Sequence, residues 1–89
     1  MENKAYFYVL KCNDDSYYGG YTTDPARRLS EHNQGIGAKY TRNRKPVQMI
    51  HLESFESKSE AMKAESAFKK LTRPAKLRYL KNTKSEQTP

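Results

Sequence analysis

Tyr17, Tyr18 and Tyr21 bracket the pair Gly19-Gly20, and Arg27, Arg28 and His32 follow shortly after. These are residue types that handle phosphates and water. A phenol has an ordinary pKa of about 10, so it can act as a base only if a neighbouring cation lowers that value. Arg28 or a metal ion could do so. A guanidinium can hold a phosphate, or the charge that develops on it during attack. Arg28 and His32 stand four apart and share one face of a helix, whereas Arg27 faces elsewhere. His32 could be a general acid, a phosphate contact or simply an exposed ring. The plain alternatives are a solvated arginine face and tyrosines that pack with the hydroxyl at the rim.

Glu65 is the other residue singled out. On the helix around it, Ala61, Ala64, Phe68 and Leu71 form an apolar stripe. Glu65 falls at the edge of that stripe, with Met62 on its other side. A carboxylate among apolar neighbours must be paired, protonated or metal-bound. One reading is an i,i+4 pair with Lys69. The other is an oxygen ligand for a hard divalent cation such as Mg²⁺, which often takes only one or two carboxylates and keeps several waters. No P-loop, GxSxG, HExxH or zinc-finger spacing competes. The single cysteine, Cys12, excludes an intrachain disulfide and a multi-cysteine zinc site. It reads as a small buried hydrophobe. His51 is isolated.

The chain has 89 residues and a formal net charge of +7, with an isoelectric point near 9.6. That balance points to a polyanionic partner, most often nucleic acid. Lys39, Arg42, Arg44 and Lys45 lie between Ala38 and Pro46 with no acid among them. They read as a phosphate-tracking loop, the alternative being an ordinary solubilising run. The N-terminal run MENKAYFYVL does not fit a signal peptide, and no stretch is long enough to span a bilayer. A cytoplasmic protein with no membrane partner is therefore the default expectation.

The elements that must position these residues can be read in order. The length suits one domain, residues 1–82, with a frayed tail over residues 83–89. Tyr6–Cys12 is a continuous apolar and aromatic run, expected to be a central strand. The turn formers Asn13–Ser16 lead into a second strand, SYYGGY, which makes a hairpin. Tyr8 and Tyr18 can then lie near each other, with Tyr17 on the opposite face. Asp24 caps a helix that opens on Pro25 and stops at Gly35, with Leu29 toward the core. A basic loop spans Ile36–Pro46, and Val47–Ser54 forms a third strand. Ser57 and Glu60 make a capping box for a helix running to about Thr72. Pro74 opens a last helix anchored by Leu77 and Leu80. The order ββαβαα defines an α+β domain in which helices must cover the sheet.

This constellation resembles the GIY-YIG nuclease domain, and most closely its short single-domain bacterial members. Tyr6-Phe7-Tyr8 corresponds to the first name-giving motif and Tyr18-Gly19-Gly20 to the second. Arg28 stands ten residues and His32 fourteen residues after Tyr18, as in the family pattern, and Glu65 in EAMKAE takes the place of the metal-binding glutamate. The run GGYTTDPARRLSEHNQGIGAKYTR is more specific than either tripeptide, and the likeness extends from about Ala5 to Leu80.

The resemblance implies a small α/β sandwich with a three-stranded antiparallel sheet. It implies cleavage of DNA phosphodiesters with one Mg²⁺ or Mn²⁺ held by Glu65. Tyr8 or Tyr18 would orient or deprotonate the attacking water. Arg28 would neutralise the phosphate, and His32 would assist at the phosphate or leaving group. Larger family members take their target from a second domain, so low specificity or a protein partner is expected. The alternatives are a nucleic-acid-binding module that keeps the fold without cleavage, and a protein-interaction adaptor. Two positions depart from the pattern: Tyr6 replaces the motif glycine, and Gly19 replaces an isoleucine. Gly19 is expected to loosen the hairpin, and the glycine pair to let a phosphate approach the backbone.

Overall fold

The computed structural model describes residues 4–83. The apolar run near the N-terminus forms β1 (Ala5–Lys11), and the Asp14 turn returns the chain into β2 (Tyr17–Thr22). Then follow α1 (Pro25–Asn33), a single turn α2 (Lys39–Arg42), β3 (Gln48–Phe55), α3 (Lys58–Lys69) and α4 (Arg73–Asn82). The sheet order is β2-β1-β3, with both pairings antiparallel. β1 is thus central, which is why its residues are apolar on both faces.

Side-chain alternation splits the core in two. Tyr8, Leu10 and Cys12 point to one face and pack with Val47, Met49, Tyr18 and Leu29, the last from α1. Phe7 and Val9 point to the other and meet Phe68 of α3 and Tyr79 and Leu80 of α4. The faces expected for the paired tyrosines hold: Tyr18 joins the Tyr8 side and Tyr17 the opposite one. The imperfect alternation in the third strand has a cause. Val9 pairs with His51 and Leu10 with Met49, so Ile50 is the extra residue of a bulge.

The helix caps follow the sequence. The Asp24 side chain accepts from Arg27 N, and Ser57 accepts from Glu60 N. Three features differ from expectation. The basic loop contains α2, a turn too short to leave a periodic signal. α3 ends at Lys69 rather than Thr72, because the Thr72 hydroxyl caps α4 by accepting from Ala75 N. Leu77 is 44% exposed and does not anchor α4; Tyr79 and Leu80 do. Most of the expected tail, residues 84–89, lies outside the described residues. Among the described residues, no helix is long and apolar enough to cross a membrane.

Candidate active site

The polar centre of the sheet's first face starts at Tyr8. Its hydroxyl lies 2.9 Å from His32 Nε2, on the last turn of α1. His32 Nδ1 lies 2.7 Å from Thr41 Oγ1 of α2, and that hydroxyl donates to Ala38 O at 3.2 Å. Tyr8, His32 and Thr41 are all buried. Burial pushes the Tyr8 phenol up to about 12, against the opposing pull of the Arg28 guanidinium beside it. Burial, reinforced by repulsion from Arg28, lowers His32 to about 4. Both groups are neutral near pH 7. The sequence allowed Arg28 to make a tyrosine a base by lowering its pKa. At Tyr8, desolvation outweighs that cation. His32 is fully buried, with its Nε2 on Tyr8 and its Nδ1 on Thr41, so the exposed ring that the sequence also allowed is not what the fold builds.

The His32 environment has a consequence for stability. Unfolded, the imidazole takes a proton near pH 6.5, but folded it resists protonation down to about 4. Between those values the unfolded state binds more protons, so acidification favours unfolding. Above the unfolded value the contribution is fully present. It should be lost progressively as pH falls toward the folded value, by up to ~3 kcal/mol. Urea unfolding across that window checks this. A His32→Gln variant should show a shallower decline than wild type.

Arg28 is held from two sides. Its Nη1 contacts Glu31 Oε1 at 2.9 Å, and its Nη2 donates to Gly37 O at 3.0 Å. Arg27 contacts the same carboxylate at 3.2 Å, but its side chain is 75% exposed against 30% for Arg28. The two adjacent arginines separate as their helix positions require. Next to Arg28 opens a cleft of about 410 Å³ whose lining includes Arg27, Lys58 and Thr22.

Glu65 comes close to Tyr8 from α3, far along the chain. Its side chain is 18% exposed, and its Oε2 lies 2.9 Å from Lys69 Nζ, the i,i+4 pair read from sequence. That ammonium also lies 5.5 Å from the Tyr18 ring centroid, and the Glu65 charge raises the Tyr8 phenol. Tyr18 in turn meets the His32 ring at 5.4 Å and stacks on Tyr40 at 5.7 Å. Tyr8, Tyr18, Arg28, His32 and Glu65 therefore form one cluster. Among the described residues, no group of three or more His, Cys, Asp or Glu side chains could hold a metal. A single carboxylate could hold only a hard ion that keeps most of its waters, and at Glu65 such an ion would have to compete with Lys69.

The basic loop is less uniform than its sequence. Arg44 lies 4.0 Å above the Tyr40 ring, donates from Nε to Asp14 Oδ2 at 3.0 Å, and is tied to Tyr40 O at 2.7 Å. It braces the loop against the hairpin turn. Lys39, Arg42 and Lys45 are exposed.

The glycine pair serves a different purpose from the one expected. A Cβ on Gly20 would sit 2.5 Å from Tyr8 Oη, and one on Gly19 would sit 3.1 Å from Phe68 Cδ2. The chain's own rings occupy the space, so the pair does not open the backbone to a phosphate. Gly19 accommodates Phe68 closely. Gly20→Ala should force the Tyr8 phenol off its His32 partner. The expected cost is about 1–3 kcal/mol of stability, with a roughly 10- to 100-fold fall in any reaction that uses that phenol. A thermal melt and a rate measurement read the two effects.

Sequence reasoning missed Thr41 and Gly37. A Cβ on Gly37 would lie 2.6 Å from His32 Nδ1, so the glycine lets the loop close over the imidazole while its carbonyl holds Arg28. Neither has a signal in composition or periodicity. Both fall inside the run GIGAKYTR.

A sequence model described as the GIY-YIG catalytic domain matches residues 4–79. A UPF0213 protein of Enterococcus faecalis is 68% identical over 85 residues, covering 91% of this chain and 97% of that one. A UPF0213 protein of Listeria welshimeri is 65% identical over 78 residues, covering 88% and 87%. The solution NMR structure of a protein from E. faecalis aligns over 100% of both chains with a TM-score of 0.62 and 59% identity. That of a UPF0213 protein from Bacillus halodurans gives a TM-score of 0.59 at 45% identity, covering 88% of this chain and 83% of that one.

Proposed function

Because the chain belongs to the GIY-YIG catalytic domain family, we propose that it is a metal-dependent endonuclease that hydrolyses phosphodiester bonds in DNA. The observation that carries this reading is convergence. Glu65 on α3 and Arg28 on α1 both act electrostatically on Tyr8, and Lys69 links Glu65 to Tyr18. A carboxylate able to hold one cation, a fixed guanidinium and two phenols are what a phosphate needs around it.

Glu65 would hold one Mg²⁺ or Mn²⁺, which supplies positive charge to a phosphate oxygen when bound. Arg28 neutralises the charge that builds on the phosphate. Two of its donors are already tied to Glu31 and Gly37, so the guanidinium needs no reorganisation when that charge appears. Tyr18, half-buried beside Lys69, orients the attacking water. Tyr8 lies behind it and fixes the inner wall through His32. Lys39, Arg42 and Lys45 follow the strand's phosphates, a contact that weakens with salt, and Arg44 holds their loop in place. A protein partner would add target specificity to this basic surface.

Nicking of supercoiled, branched, damaged and single-stranded DNA in Mg²⁺ or Mn²⁺ tests the proposal, with wild type beside Glu65→Gln. Cleavage that requires the metal and Glu65 supports it. Tight, salt-sensitive DNA binding with no cleavage on any substrate would favour a non-catalytic binding module.

A further inference from the structure

Thr41 has no role in the reading so far, yet it is fully buried and its hydroxyl faces the inner nitrogen of His32. Its position decides how the ring carries its proton. Thr41 Oγ1 lies 3.2 Å from Ala38 O, which can only accept, and we assign the hydroxyl's single hydrogen to that carbonyl. Toward His32 Nδ1, 2.7 Å away, Thr41 can therefore only accept. An accepting Thr41 requires a proton on Nδ1. A neutral imidazole protonated at Nδ1 has a lone pair at Nε2, and Nε2 faces Tyr8 Oη at 2.9 Å. The phenol must then donate to the histidine. With its own hydrogen directed inward, Tyr8 oxygen presents lone pairs to the Arg28 guanidinium beside it.

We propose that Thr41 is a positioning residue that sets the tautomer of His32, and thereby the direction of the Tyr8 hydrogen bond facing Arg28. The hydrogen bonds then run one way, from Tyr8 through His32 and Thr41 to the Ala38 carbonyl, so each bond polarises the next. All four groups belong to the described residues, where no buried side-chain polar atom lacks a partner. The opposite tautomer breaks this order. Nε2–H would donate to Tyr8, whose hydrogen would turn toward Arg28, donor against donor. Gly37 covers the Nδ1 side too closely for a Cβ, which keeps that end of the ring against Thr41.

The inference deepens the nuclease reading at the same site, but its primary test does not depend on cleavage. Long-range proton–nitrogen NMR correlations of the His32 ring near neutral pH report which nitrogen carries the proton. Wild type should carry it on Nδ1. Thr41→Ser, which keeps the hydroxyl, should give the same spectrum and wild-type nicking. Thr41→Val, which keeps the shape without the acceptor, should move the proton to Nε2. Its nicking should fall roughly 10- to 100-fold, the range for losing the Tyr8 contact with the charged Arg28 guanidinium. A wild-type proton on Nε2 overturns the proposal, as does a folded Thr41→Val that keeps it on Nδ1. If Thr41→Val does not fold, the wild-type and Thr41→Ser spectra decide, and a proton on Nε2 in either is fatal. Absence of nicking in wild type, with the proton on Nδ1, would count against the nuclease reading and leave the tautomer assignment standing.

Discussion

Glu65→Gln should reduce metal-dependent nicking by about 10³-fold, the effect of losing several kcal/mol of charge stabilisation at a phosphate. Glutamine keeps the length and one oxygen of the side chain but removes the charge that holds a hard divalent cation. The fold should survive. Glu65 is not a core residue, and its ion pair joins it to a Lys69 side chain that is 50% exposed. Such a pair contributes about 0–1 kcal/mol, so the melting temperature should change by only a few degrees, about 8 °C at most. Nicking rates in Mg²⁺ and a thermal melt, run on one preparation, separate loss of chemistry from loss of structure. A variant that melts like wild type and still nicks like wild type would remove Glu65 from the site.

Arg28→Lys should lower the nicking rate by roughly 10²- to 10³-fold. The guanidinium spans Glu31 Oε1 at 2.9 Å and Gly37 O at 3.0 Å while standing beside Tyr8. An ammonium is a point charge on a flexible stem and cannot span those partners in a fixed plane. The matched control is Arg27→Lys, next in sequence and paired with the same carboxylate, but with a side chain that is 75% exposed. It should nick at close to the wild-type rate. Equal losses in the two variants would mean that net charge near the cleft matters rather than Arg28 in its place.

Much of this site was legible from residue types because its parts sit on elements with strong local signals. A continuous apolar run made β1 central and put Tyr8 in the middle of the sheet. Strand alternation assigned Tyr18 and Tyr17 to opposite faces. The Asp24-Pro25 start fixed α1, and from there helical spacing separated Arg28 from Arg27. The wheel around Phe68 placed Glu65 at the rim of α3, though only the fold brings that rim to Tyr8 and Tyr18. The missed features depend on contacts between segments distant in sequence. α2 is one turn and has no period to read. Gly20 is needed because a phenol on the neighbouring strand lies across it, and Gly37 because an imidazole lies beneath it. Leu77 looked like an anchor from its type, but Tyr79 takes that place by packing on Phe7 and Phe68. Desolvation also reversed one expectation: burial raises the Tyr8 phenol even with a guanidinium beside it.

The central claim is that Glu65 and Arg28 complete one phosphodiester-cleaving centre that works with a single divalent ion. Its most direct test is the nicking rate of supercoiled plasmid as Mg²⁺ or Mn²⁺ is titrated, with wild type, Glu65→Gln and Arg28→Lys side by side. Wild type should nick in a saturable, chelator-sensitive way. Glu65→Gln should show no metal-dependent rise, and Arg28→Lys should rise with metal but to a much lower rate. Equal nicking by all three proteins, or nicking that persists unchanged in chelator, would contradict the claim.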